Sequence, residues 1–346
     1  MTPAPSRPRL HALQYLRALA AIAVLIFHAG QASGFQLHLF ALGVDLFFVI
    51  SGFLMVAITD AHSRPGPFLR DRVMRVVPLY WIATLAWVLL RIAAGGPPPD
   101  LGHLLGSLLF IPVASRHSGS YHFPVLELGW TLNYEMAFYV AFAVSLFVVA
   151  RWRLPLLTML FVMAVTAGQW ARPGSAALAF WSGPIILEFL AGAWLARWWR
   201  GGWVRRPRLG WALALVGAPL TLKLIMSGAA LLPASMHLDL RALSALPAAM
   251  VLAGALLIAG GGAMHSRWLS GLGDASYSIY LWHKPAIFVA GLVLARFGMT
   301  GASSLATLAI AGLAAGLAGY WLLERPLLIV LRQRRHVAGS PVPASV

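Results

Sequence analysis

A chain of 346 residues that is 60% apolar and 10% charged, with a mean hydropathy of +0.78, departs from soluble domains, where about a quarter of residues carry charge. The net charge of +16 would suit a nucleic-acid binder, but the arginines gather in alternate connections between apolar runs, as the positive-inside rule predicts for a membrane protein. No nucleic acid is expected as a partner, and the absence of cysteine excludes disulfides, a thiolate nucleophile and cysteine-ligated metal.

The expected fold is an all-α polytopic membrane protein of about ten transmembrane helices, with both termini cytoplasmic. Residues 1–9 form a Pro-rich basic tail, expected to be disordered. Arg7 and Arg9 would also fit the start of a signal peptide, but the many apolar segments that follow argue against cleavage. Helix one runs from Leu10 to Gly30, and helix two from Leu39 to Thr59. The connection holding Arg64, Arg70, Arg72 and Arg75 is cytoplasmic. Helix three, Val76 to Ala94, leads out to Gly95-Gly96-Pro97-Pro98-Pro99. Leu101 to Val113 is apolar but too short to span, and reads as a re-entrant or interfacial helix on the outer side. Helix four is Trp130 to Ala150, helix five Leu154 to Trp170, and helix six Ala177 to Trp194. The densest basic connection follows, with Arg197, Arg200, Arg205, Arg206 and Arg208. Helix seven is Leu209 to Gly228, helix eight Arg241 to Gly260, helix nine Ala275 to Ala295 and helix ten Ser303 to Leu323. Residues 10–326 read as one transmembrane domain, and 327–346 as a basic cytoplasmic tail.

Within helix one, Arg17 and His28 stand eleven positions apart with no other charge between them. Eleven steps of ~100° make three turns plus ~20°, so both side chains leave one face, separated by roughly 16 Å along the axis. Ionisable groups inside a membrane helix are costly and face a partner or a cavity, which marks this face as functional. Snorkelling of Arg17 to the headgroups is the plain alternative.

Other helices add to this. Asp45 is the one acid of helix two, followed by Ser51-Gly52, and either structural ion pairing or catalysis would account for it. Arg72 and Arg75, three apart, share a face where helix three enters the membrane, above Pro78, Tyr80 and Trp81. A planar guanidinium suits phosphate, whereas ordinary positive-inside anchoring needs no ligand. In helix four, Glu135 lies about one and a half turns inside the boundary, with Tyr139 one turn deeper on the same face. In helix nine, Ser276, Tyr280, His283 and Lys284 form a polar stripe ahead of Pro285. His103, His117 and His122 on the outer segment match no standard ligand spacing, so no metal is expected.

Taken together, these stretches resemble acyltransferase family 3, the integral membrane acyltransferase-3 domain proteins, over about Leu13 to Pro326. The family's Arg-x10-His is matched by Arg17 and His28, and its Gly-Val-Asp-Leu-Phe-Phe-Val-Ile-Ser-Gly-Phe by Gly43 to Phe53. Arg-x-x-Arg falls on Arg72 and Arg75, and Trp-Thr-Leu with the following Glu and Phe-Tyr on Trp130 to Tyr139. Tyr-Ser-Ile-Tyr-Leu-Trp-His is Tyr277 to His283, and Glu-x-Pro is Glu324 and Pro326. Each motif is weak singly; their order along the chain is specific. Gln14-Tyr15-Leu16-Arg17 and Gly129 to Glu135 look most like the branch that modifies exopolysaccharides.

The resemblance implies an acyl-CoA-dependent O-acetyltransferase of the bacterial inner membrane. It would move an acyl group, acetyl first among the candidates, from cytoplasmic acyl-CoA to a sugar hydroxyl of an envelope or extracellular glycan, free or lipid-linked. His28 would act as general base, with Asp45 or Glu135 orienting its imidazole or stabilising its cation. Arg17, Arg72, Arg75 and Tyr80 would hold acetyl-CoA, and Tyr139, Ser276, Tyr280, His283 and Lys284 the substrate. A transient acyl-histidine or acyl-serine is the other route. Some members carry a soluble esterase-like domain after the membrane part; none follows helix ten here, so a later transfer step would fall to another protein. Membrane lipids surround the chain, and polysaccharide-assembly proteins or a second copy are further candidate partners. Two other readings remain: a transporter of glycan precursor or acyl donor with a proton relay, and a non-catalytic envelope assembly subunit.

Overall fold

The computed structural model describes residues 11–113, 123–171, 176–200, 202, 206–226, 238–259 and 266–337. Among these residues there is no strand. In chain order the helices are α1 (His11–Ala32), α2 (Leu42–Ile58), α3 (Pro65–Ala93), α4 (Leu101–Leu108), α5 (Gly129–Ser145), α6 (Ala150–Ala171) and α7 (Ala176–Trp181). They continue as α8 (Leu187–Trp199), α9 (Pro207–Met226), α10 (Leu238–Ala259), α11 (Arg267–Asp274), α12 (Ser276–Arg296), α13 (Gly301–Gly319) and α14 (Arg325–Val337). A 3₁₀ turn, His38–Ala41, leads into α2, another, Pro184–Ile186, into α8, and a π turn, Tyr320–Glu324, joins α13 to α14.

Among the described residues, six segments are long and apolar enough to cross a bilayer: His11–Ala32, His38–Ile58, Pro65–Ala93, Ala150–Gly168, Ser276–Arg296 and Gly301–Leu331. The chain is thus a multi-pass membrane protein whose regular structure, among the described residues, is helical. Length alone does not give every expected crossing: α5 has 17 residues and α8 only 13.

The boundaries differ from expectation in instructive places. Helix three begins at Pro65 rather than Val76, because a proline in the first turn fits helical φ and lacks only an amide that has no partner there. Arg70, Arg72 and Arg75 therefore sit on helical turns. The expected single helix from Ala177 to Trp194 is broken: Gly183-Pro184 interrupts it, leaving α7, a 3₁₀ turn and α8. The last helix does not stop at Leu323 but passes through the π turn and runs to Val337, so residues 327–337 are helical. Residues 1–10 and 338–346 lie outside the described residues, as do His117 and His122.

The non-spanning segment after the Gly-Pro breaker is helical over only eight residues, α4. Tyr80 Oη donates to the Ser107 carbonyl at 3.2 Å and Trp81 Nε1 to the Leu108 carbonyl at 2.8 Å, pinning its end to α3. Phe110 then turns the chain with φ 60°, a left-handed conformation costing an L residue roughly 1–2 kcal/mol. The Tyr80 ring, 5.0 Å away between centroids, packs against it.

In a membrane, close packing and polar contacts rather than water exclusion bring helices together. α1 is the hub: it packs against α2, α10, α11, α12 and α13. Glycines set the approaches. A Cβ on Gly52 would lie 1.9 Å from the Phe189 carbonyl oxygen, and one on Gly192 1.8 Å from that of Val49, so α2 and α8 touch backbone to backbone. Gly43 fits α2 against Ala20 and Val24 of α1 in the same way. On α13, Gly312, Gly316 and Gly319 lie against His283, Ile279 and Trp282 of α12. An aromatic seam fills the other side, with Phe189 at 4.6 Å from Phe48 and 4.7 Å from Phe138 between centroids. Such pairs add ~0.5–1.5 kcal/mol each beyond burial.

The arginine-rich end of the bundle is also built. Arg153 donates to the carbonyls of Val148, Asp60 and Ala61, and Arg200 to those of Ala57 and Thr59. Cations on the last carbonyls of helices satisfy acceptors that the helices cannot.

Candidate active site

The functional candidates divide between the two ends of α1. Near its start Arg17 turns inward, facing Arg75 of α3, Glu324 of the π turn, Asp274 of α11 and Glu135 of α5. Near its end His28 turns toward α12. The face expected from the eleven-residue spacing is thus covered by other helices, and both residues are partly buried.

At the Arg17 end, Glu135 accepts from Ser51 Oγ at 2.9 Å and from Tyr139 Oη. Ser51 and Tyr139 also meet each other at 3.2 Å. Arg72 faces Tyr139 and Glu135, with its Nε buried and without a hydrogen-bond partner. Tyr277, one helical turn before Tyr280 on α12, donates to the Val76 carbonyl at 2.8 Å and faces Glu135 and Glu324.

In the sequence only Glu-x-Pro points to Glu324, and its place explains that motif. The π turn, a one-residue widening of the helix, swings its carboxylate onto the first turn of α12. There Oε2 accepts from Ser278 Oγ at 2.6 Å and the carboxylate also takes the Ser278 backbone N–H. The acid caps α12 from another helix while facing Arg17 and Arg75. Ser51, Tyr277 and Ser278 likewise carry no site signal of their own in the sequence. Only their position inside matched motifs pointed to them, since a Ser or Tyr alone is common in membrane helices.

At the His28 end, Nδ1 lies 2.9 Å from the Val24 carbonyl and 3.2 Å from His283 Nε2. His283 Nδ1 is in turn 2.9 Å from the Ile279 carbonyl. Tyr280, 6.1 Å from His283 between ring centroids, is bonded to Thr131 Oγ1 at 2.6 Å and the Leu128 carbonyl at 2.9 Å. Lys284 forms an ion pair with Glu127, just ahead of α5. Asp45 lies in the first turn of α2, two residues after the Gly43 contact with Ala20 and Val24.

The structure therefore gathers Arg17, Arg72, Arg75, Glu135 and Tyr139 at one level, and His28, His283 and Lys284 at another. Neither acid stands where a triad acid would on His28: its Nδ1 partners are a helix carbonyl and His283, while Glu135 is held by Ser51 and Tyr139. Tyr80 is not brought to the arginines. Its side chain is fully buried against Ser107, Phe110 and Gly129. Ser276 is buried at the start of α12 with Oγ unpartnered. His103 is bonded to the Phe123 carbonyl at 2.8 Å, and among the described residues no group of three His, Cys, Asp or Glu could hold a metal.

Comparison with known proteins adds the identity of this arrangement. The model of an acyltransferase domain matches residues 10–325. The exopolysaccharide production protein ExoZ of Rhizobium meliloti is 40% identical over 322 residues, covering 91% of this chain and 98% of that one. BcsY of Komagataeibacter xylinus, named as a candidate membrane-bound transacylase, is 29% identical over 330 residues, 90% of this chain and 81% of its own. The acyltransferase MdmB of Streptomyces mycarofaciens is 27% identical over 387 residues, 99% of this chain and 97% of its own. No solved structure matches the chain significantly. A domain match over nearly the whole length, carried on helices that converge on one polar face of α1, makes this chain a member of acyltransferase family 3.

Proposed function

We propose that the protein is an O-acyltransferase of the bacterial inner membrane that takes acetyl from cytoplasmic acetyl-CoA and places it on a sugar hydroxyl of an exopolysaccharide or its lipid-linked precursor. The observation that carries this reading is the single inward face of α1, with a guanidinium at one end and an imidazole at the other. In this reading the bundle crosses the membrane about ten times with both termini in the cytoplasm, and the arginine-rich end faces the donor.

Arg17, Arg72 and Arg75 receive the phosphates of the donor. Arg72 Nε, a buried donor with no protein acceptor, is suited to an incoming phosphate oxygen. Ser276 Oγ is a second unfilled polar atom at that level. Glu135 and Glu324 hold the arginines apart and in place. From there the pantetheine arm, comparable in length with the ~16 Å rise from Arg17 to His28, carries the thioester to the imidazole. Tyr139 and Tyr280 line the way, and Lys284 with Glu127 stands at the far rim, where the glycan enters.

With no cysteine in the chain, direct attack is the simplest chemistry. The acceptor hydroxyl oxygen bonds to the thioester carbonyl carbon as its proton passes to His28. The carbon–sulfur bond then breaks, and the proton goes from the imidazolium to the leaving thiolate. ExoZ, named for exopolysaccharide production, supports the choice of acceptor class.

The test is release of CoA thiol and appearance of the ester, using purified protein in proteoliposomes with acetyl-CoA and a lipid-linked or polymer glycan. Wild type transfers and His28→Ala does not, although both elute as the same folded species. Undiminished transfer by His28→Ala removes the mechanism. Movement of glycan across the bilayer with no CoA released points to a transporter instead.

A further inference from the structure

The two-histidine contact carries more than its place in the site. His283 is fully buried, closed in by Gly312 of α13, whose Cβ would stand 3.2 Å from that of His283. Both of its ring nitrogens are engaged, Nδ1 with the Ile279 carbonyl and Nε2 with His28. Nothing is left on the ring for a sugar or a thioester.

The proton positions follow from the partners. A carbonyl oxygen only accepts, so His283 Nδ1 carries a hydrogen toward Ile279, and in the neutral ring Nε2 is then a bare lone pair. His28 Nδ1 lies between two acceptors, the Val24 carbonyl and that lone pair, so it too carries the hydrogen. The opposite tautomers would oppose lone pairs at 2.9 Å in two places. His28 Nε2 is consequently the unprotonated atom, on the one nitrogen not turned back onto α1 or α12. The charged group acting on His28 is Lys284, which is tied to Glu127.

Resting on the transferase reading above, we infer that His283 is a positioning residue that fixes the His28 tautomer and steadies the imidazolium formed when Nε2 takes the hydroxyl proton. It stands where many hydrolases and transferases place a carboxylate against the second nitrogen of the base. A neutral imidazole there avoids an extra buried charge: when His28 becomes cationic, its Nδ1–H bond to His283 turns from neutral to charge-assisted and strengthens. The gain belongs to the transition state and not to the resting enzyme, so it is read in kcat.

The experiment compares His283→Leu, His283→Asn and His283→Gln with wild type in proteoliposomes, measuring kcat and the KM for acetyl-CoA. A glutamine amide reaches to where Nε2 sits and offers an oxygen there, whereas an asparagine amide reaches only to the Nδ1 position. Leu and Asn variants are expected to lose ~10- to 100-fold in kcat with KM held, the range of a hydrogen bond to a charged group, and Gln to recover to within a few-fold of wild type. Solid-state ¹⁵N spectra of histidine-labelled protein should show His28 with hydrogen on Nδ1 and bare Nε2. Equal kcat in all three variants, a loss confined to KM, or a His28 ring protonated on Nε2 overturns the inference. If His28→Ala also keeps full activity, the transferase mechanism itself falls; if His28→Ala is dead while the position-283 variants match wild type, only the role of His283 falls. Melting temperature and elution volume separate a misfolded variant from an inactive one, with His283→Gln as the fold-preserving arm.

Discussion

The two ends of α1 solve the problem of burying polar groups in opposite ways. Around Arg17 the bundle compensates charge with charge: Arg72 and Arg75 on one side, Glu135, Glu324 and Asp274 on the other, with the hydroxyls of Ser51, Tyr139 and Ser278 donating to the carboxylates. Around His28 it uses rings and helix carbonyls, with the Lys284–Glu127 ion pair set out toward the rim. A buried charge needs several partners from several helices, whereas a neutral imidazole needs one acceptor and one neighbour. In the reading proposed here the first end holds an anion and the second moves a proton.

Breaking the His28 end should have the largest effect. His28→Ala is expected to lower kcat by ~10²–10⁴-fold, the usual contribution of a general base, with melting temperature unchanged. Since only the unprotonated ring accepts the hydroxyl proton, wild-type kcat should fall on acidification and recover when pH is restored. Variants of the arginines should keep that acid fall.

Breaking the Arg17 end should show first as stability. Glu324→Gln keeps the shape but leaves Arg17 and Arg75 short of a facing charge and weakens the cap on α12. Removing one side of a buried ionic arrangement costs about 3–5 kcal/mol, read as a drop in the melting temperature of protein in nanodiscs. A melting temperature equal to wild type would show that the acid is not what holds this end together.

Arg72→Lys and Arg72→Met sharpen the comparison. Lysine keeps the charge but not the planar fork, so both variants should raise the KM for acetyl-CoA, by about tenfold or more, with methionine the worse and kcat nearly kept. A loss in kcat alone would move Arg72 from donor binding to chemistry. Smallest of all is Lys284→Met. The pair is partly exposed, so its removal should change stability by less than ~1 kcal/mol, and its effect should fall on the glycan KM.

Much of this was legible without coordinates. The helical membrane class followed from apolar run lengths, and the shared face of Arg17 and His28 from helical period alone. Proline at a helix start and Gly183-Pro184 within one were local signals whose consequences were mis-set, because an apolar run looks continuous whether or not its backbone is. The π turn at Tyr320–Glu324 left no mark in composition. It depends on α12 presenting its first-turn N–H groups to a carboxylate from another helix.

What the sequence by itself determined is periodic and local: which segments are helical, which faces are polar, and that two ionisable groups share one of those faces. Which groups meet was decided only in the folded bundle. His28 could have met Asp45 or Glu135 on any reading of spacing, and it meets His283 because glycines on α13 let that helix close behind α12. Pairing across helices depends on the distance and rotation of whole elements, quantities that no residue carries alone.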